Sequence, residues 1–181
     1  IAGLDSADIA ALTSTQLAIL NTAQLRAIDS GDLGALSTEA LSGLSSTQIG
    51  ALSTAQLAGL STEQLVSLNT AQLRGLGSAQ LAGLSSDDLN TLTSEQFQGL
   101  GTAQVAALTA VQVANLETGD LAALGSAQIR ALSSAGIAAM DSADLAAMSS
   151  DQIAALNSNQ IRAIDTADLA GLGTDDIANL G

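Results

Sequence analysis

Hydrophobic and polar residues alternate along this chain with a period of eight that never slips. Leu52 to Leu68 shows it, reading LSTAQLAG, then LSTEQLVS, then Leu again. Counted from its leading leucine, the first position of the octad recurs 23 times between Leu4 and Leu180, and is Leu except at Ile28, Met140, Met148 and Ile164. The sixth position, from Ile9 to Ile177, is aliphatic in 21 of 22 octads and Phe97 in the other. A fixed period without insertions means one structural unit stacked many times.

The polar positions predict what that unit is. The second position is Ser, Thr, Asp, Asn or Gly, with the single exception of Glu117, and the third is Ser or Thr in 21 of 22 octads, Ala110 being the exception. The fifth is Gln or Asp in 20 of 22. With the second position as helix N-cap, the fifth becomes the third helical residue, and Ser/Thr followed three residues later by Gln is a capping box. The first and sixth positions then fall where a hydrophobic staple needs its two apolar partners. Each octad therefore reads as the start of a new short helix, and the chain as an all-α solenoid with one helix per repeat. A β-solenoid competes, but strands point alternate residues to opposite faces. The two strongest apolar positions, five and three residues apart, would then diverge. The mostly Ala or Gly eighth position suits close approach of helices instead.

Charge supports the same register. All 18 acidic residues occupy the second, fourth or fifth position, in the cap and first turn, and all four arginines (Arg26, Arg74, Arg130, Arg162) occupy the seventh. That is the sorting a helix dipole favours. Aspartates at the fifth position (Asp8, Asp32, Asp88, Asp120, Asp144, Asp168, Asp176) are expected to accept backbone N–H bonds there and to have lowered pKa values. Ala40 and Gly136 cannot close the box, so their octads are expected to be weak points.

A single octad buries too little to offset the ordering of its residues, so stability must come from neighbouring repeats, as in other quasi-one-dimensional arrays. The unbroken register predicts one continuous array over residues 1–181. It opens mid-repeat at Ile1 and closes mid-repeat at Gly181 without a distinct capping segment. That is expected of a segment of a longer array, or of a unit that caps itself by assembling.

Composition narrows the chemistry. The net charge is −14, and there is no Lys and no His, which argues against nucleic acid and anionic membranes as partners. Without Cys there are no disulfides and no thiolate metal sites. No apolar run reaches the length of a membrane span. Catalysis through His, Cys or a Ser–His pair has no residues to use, and the chain is expected not to be an enzyme. The carboxylate pairs Asp87–Asp88 and Asp175–Asp176 fit first-turn acids; neither EF-hand spacing nor a glycine-rich nonapeptide accompanies them, so no cofactor or metal is expected. The pattern drifts at Phe97, where Val105 and Val113 follow in the same slot and Ala110 and Val111 replace polar residues. Volume compensation in the core explains this; a lateral contact patch formed by Phe97, Ala110 and Val111 is the functional alternative.

Two resemblances bear on function. LSTEQLVSL, Leu60 to Leu68, resembles the helix-opening phrase of transcription-activator-like effector repeats. The match ends after about nine residues, and the base-reading pair and basic charge are missing. Over its full length the chain resembles the Leu-x-Thr-Ala-Gln-Leu/Ile-x-Ala arrays of large secreted or surface adhesin-like bacterial proteins. That resemblance implies an extracellular or cell-surface structural or adhesive segment. Open arrays also offer matching ends, so self-association into a fibre or layer is expected. The alternative is a binding module that recognises glycan, peptide or ice through its Ser/Thr/Gln-rich outer surface.

Overall fold

The structure, a computed structural model, describes residues 3–179; the first-position Leu180 lies outside the described residues. The chain divides into two compact units, Ile1–Leu92 and Thr93–Gly181. Among the described residues there are twenty-one short α-helices, one 3-10 helix and no strand. The fold class is the all-α solenoid of octad helices that the sequence pattern predicts.

Local structure follows the octad closely. The helix Thr54–Ala58 is preceded by Ser53 in an extended conformation; the Ser53 hydroxyl accepts from Gln56 N–H, and the Gln56 side chain accepts from Ser53 N–H. The box recurs with Thr at Thr93, Asn at Asn69 and Asp at Asp141. Helices are four to six residues long. Each ends without a left-handed residue, since no described residue has a positive φ. Instead the first-position N–H turns back onto the sixth-position carbonyl, as in Leu60 N–H to Leu57 O at 3.1 Å. Leu52 and Ser53 are then both extended, and that pair re-aims the chain into the next helix. Two extended residues per octad are the whole connection.

Within each unit, helices pack against those three octads later. In the first unit Thr22–Arg26 meets Ser46–Ala51, which in turn meets Thr70–Gly75; in the second Thr118–Ala123 meets Ser142–Ala147. The first-position side chains from Ile28 to Leu172 and the sixth-position side chains from Ile9 to Ile153 form the core. Successive turns come very close at the seventh and eighth positions. A Cβ on Gly75 would lie 2.2 Å from the Ser46 carbonyl oxygen, and one on Gly50 would lie 2.3 Å from that of Gly75. Only glycine admits backbone at that separation.

One octad departs from the pattern. Sequence places a helix from Thr166 behind an Asp165 cap. The structure instead has a 3-10 helix over Asp168–Gly171, with Ala167 N–H donating to Asp165 Oδ1 at 2.9 Å. Leu169 is only half-buried there, so the packing that favours a full α-turn elsewhere is weaker.

Candidate functional site

The recurring chemical feature of the molecule is the fifth-position glutamine. Its Oε1 closes the capping box of its own helix. Its Nε2 does something the octad alone does not reveal: it donates to two backbone carbonyls on the preceding superhelical turn. Gln56 Nε2 reaches the Leu25 oxygen at 2.9 Å and the Ile28 oxygen at 2.8 Å. Gln72 does the same to Leu41 and Leu44, both at 2.9 Å. In the first unit Gln48, Gln64 and Gln80 repeat the contact. In the second, Gln128, Gln152 and Gln160 do so. The acceptors are always the sixth- and first-position residues 31 and 28 positions back. A superhelical turn therefore takes between three and four octads, a number the spacing of the sequence could not supply.

These amides are buried; Gln56 is 3% exposed and Gln160 1%. The first-position carbonyl they cap lies in the extended link between helices, where no backbone donor reaches it. A buried carbonyl left so would cost on the order of 1–3 kcal/mol. The glutamines thus form a ladder, each rung joining a helix start to the helix end on the turn before. Arginines strut the turns from the other side. Arg26 Nε donates to the Ala51 oxygen at 2.6 Å and Arg130 Nε to the Ala155 oxygen at 3.2 Å, each a helix-end carbonyl 25 residues ahead.

Departures from glutamine break rungs. At Ala40 the Ser37 hydroxyl still accepts from Ala40 N–H, but the reciprocal half of the box is gone, and a cavity of about 150 Å³ opens beside it between Leu12, Ser37 and Glu39. Gly136 likewise retains only the Ser133 half. A cavity of about 390 Å³ lies against Asp32, lined also by Leu4, Arg26, Asp29 and Gln56.

The fifth-position aspartates depart from expectation. Asp8, Asp144 and Asp176 do accept the cap N–H. Asp32 and Asp176 accept the hydroxyls of Ser6 and Ser150, and Asp88 accepts the Ser85 hydroxyl at 2.7 Å. The expected lowering of their pKa values is overturned where shifts occur. Burial, reinforced by the nearby Glu117 carboxylate, pushes Asp120 up from 3.8 to about 6. Burial also raises Asp144, against the Asp141 backbone bond that lowers it. At Asp144 desolvation outweighs the cap bond, and at Asp120, whose octad forms no capping box, it is unopposed, because the fifth position faces inward.

The residues of the candidate contact patch are not brought together at the surface. Phe97 is fully buried, 0% exposed, in the sixth-position core. Ala110 is half-buried at the start of the helix Ala110–Ala114. Val111 alone projects, 68% exposed. The Phe97 carbonyl, rather than its ring, has a specific partner, accepting from Gln128 Nε2 at 2.8 Å. Among the described residues no group of three or more His, Cys, Asp or Glu side chains could hold a metal, and no helix is long and apolar enough to cross a membrane.

The ladder yields two tests. Gln56→Ala removes a box and both inter-turn bonds and should destabilise by roughly 2–4 kcal/mol. Gln24→Ala, whose side chain closes only the box with Asn21, should cost about 1 kcal/mol; denaturant unfolding distinguishes them. Ala40→Gln should fill the neighbouring cavity, complete the box and reach the Ile9 and Leu12 carbonyls, raising stability by roughly 1–3 kcal/mol in the same assay.

Among known proteins, no curated protein matches this chain. A family model described as the ALTTAQ repeat matches residues 1–31, 26–62, 57–94, 84–118, 113–150 and 145–181. Those overlapping matches span the whole sequence, and the chain belongs to the ALTTAQ repeat family.

Proposed function

We propose that this chain is a structural or adhesive repeat segment of a bacterial extracellular or surface protein, and that copies associate into a fibre or layer. The observation that carries the reading is the glutamine ladder. The buried amides of both units are used by the fold itself, bonding one turn to the next. With no His or Cys in the sequence and the buried amides taken up in bonds between turns, we favour scaffolding over catalysis. Family membership supports a repeat scaffold; the extracellular setting and the adhesive role rest on the resemblance to secreted arrays and on the acidic, Cys-free composition.

The second reading, a module that recognises glycan, peptide or ice, draws on the outer surface. Third-position residues such as Ser46, Thr54 and Thr62 are exposed at eight-residue spacing. Unmodified, such a row offers evenly spaced donors and acceptors.

Electron microscopy and light scattering of the purified chain separate these readings. A chain of net charge −14 repels its copies, and salt screens that repulsion beyond about 10 Å at 0.1 M. Assembly predicts fibres or layers that increase with added salt. Isolated particles at every salt concentration would leave the scaffold reading without its assembly and favour recognition by the outer row.

A further inference from the structure

We propose that Asp144 is a proton-operated rung of the ladder, open at neutral pH and closed in acid, so that acid tightens the turns it joins. Register places Asp144 in the ladder. Every buried fifth-position glutamine with a rung in these units donates to the carbonyls 31 and 28 residues back. The same offsets from Asp144 fall on Val113 and Leu116. Asp144 sits in the glutamine slot in the other respects as well: it is 7% exposed, and its Oδ2 accepts from Asp141 N–H at 3.1 Å, closing the box as Gln Oε1 does. What it lacks is a donor. An ionised carboxylate only accepts hydrogen bonds, whereas the protonated acid has one O–H to give.

The acceptor side is waiting. The Val113 carbonyl accepts from Leu116 N–H at 3.2 Å, as in every octad of this kind. The Leu116 carbonyl, in a core residue 5% exposed, receives no hydrogen bond among the described residues. Protonation of Asp144 replaces a buried charge, at the register position of these two carbonyls, with a neutral donor that can bond one of them. The carboxyl is one methylene shorter than the glutamine amide, so closing the rung draws the Leu116 link towards the helix Ser142–Ala147.

The surrounding charges act in the same direction. On its own octad Asp144 faces Asp141. The helix packed against it on one side, Thr118–Ala123, carries Asp120 behind Glu117; the 3-10 helix Asp168–Gly171 on the other carries Asp168 behind Asp165. The helix Ala110–Ala114 has no charged residue, and none of these elements contributes a cation. Burial accordingly holds the Asp144 carboxyl above its ordinary 3.8. A carboxyl raised in the folded state binds its proton more tightly there than in the unfolded chain. It therefore adds stability as pH falls through the folded value towards 3.8, and that stability is lost as pH rises again.

The test compares the chain with its Asp144→Asn variant, an isostere that keeps the box acceptor and always carries donors. Denaturant unfolding is followed at pH 7.5 and at pH 4. At pH 7.5 the variant should favour the folded state by about tenfold for each unit by which Asp144 is raised. At pH 4 the two should agree within about twofold. The other carboxylates cancel in this difference. A gap that stays constant with pH, or a variant less stable at pH 7.5, overturns the proposal. If the variant fails to fold, a carbon-13 titration of the Asp144 carboxyl in the unaltered chain decides. A midpoint above 3.8 supports the rung, and one at or below 3.8 overturns it.

Discussion

One hydrogen-bonding group, the fifth-position side-chain amide, holds successive turns of this solenoid in register. The reason lies in the length of the helices. A helix leaves its first four N–H and last four C=O groups without intrahelical partners, so helices of four to six residues have more orphan groups than paired ones. Their termini are most of the fold. Second-position oxygens take the first-turn donors, and first-position N–H groups turn back onto sixth-position carbonyls. The remaining cap N–H and the link carbonyl are separated by a superhelical turn, and one glutamine serves both. Apolar burial supplies the bulk of the stabilisation; the amide fixes which turn stacks where.

Much of this was legible in the sequence. The caps, the box, the staple and the inward first and sixth positions follow from spacing alone, because each is a contact between residues a few positions apart. The superhelical repeat was not legible, since Leu25 and Gln56 are joined only by the closing of a turn. One signal did point to it. A capping box accepts Glu as readily as Gln, and the dipole favours Glu in the first turn. Yet Glu39, Glu63 and Glu95 all stand at the fourth position and none at the fifth. In most octads that slot holds Gln, whose amide hydrogens neither acid supplies. The same inward orientation explains the reversed pKa values of Asp120 and Asp144: an isolated short helix would leave its first turn in solvent, whereas here the fifth position faces the turn before.

The residues of the candidate contact patch divide between core and surface for a related reason. Phe97 and Val111 are close in sequence but occupy the sixth and fourth positions, one directed into the core and the other out of it. Val105 and Val113, which follow Phe97 in the same slot, are buried as it is. Substitutions that alter the ladder are more informative. Ala40, Gly136 and the fifth-position aspartates remove the donor at defined places, each with a different consequence: a cavity, a lost half-box or a buried charge. An array built of identical contacts is thereby given points of unequal strength, which suits a scaffold that must hold along its length and respond at particular places.

The ladder is tested most directly by hydrogen exchange at the glutamine side-chain amides, read by NMR. If Nε2 bonds the preceding turn, the amide protons of Gln56, Gln72, Gln152 and Gln160 should exchange slowly, in step with the core backbone. Those of Gln16, Gln24 and the exposed Gln98 should exchange at the rate of a free amide. Uniformly fast exchange across both sets would mean that the turns stack by apolar contact alone, and that the amide does not set their register.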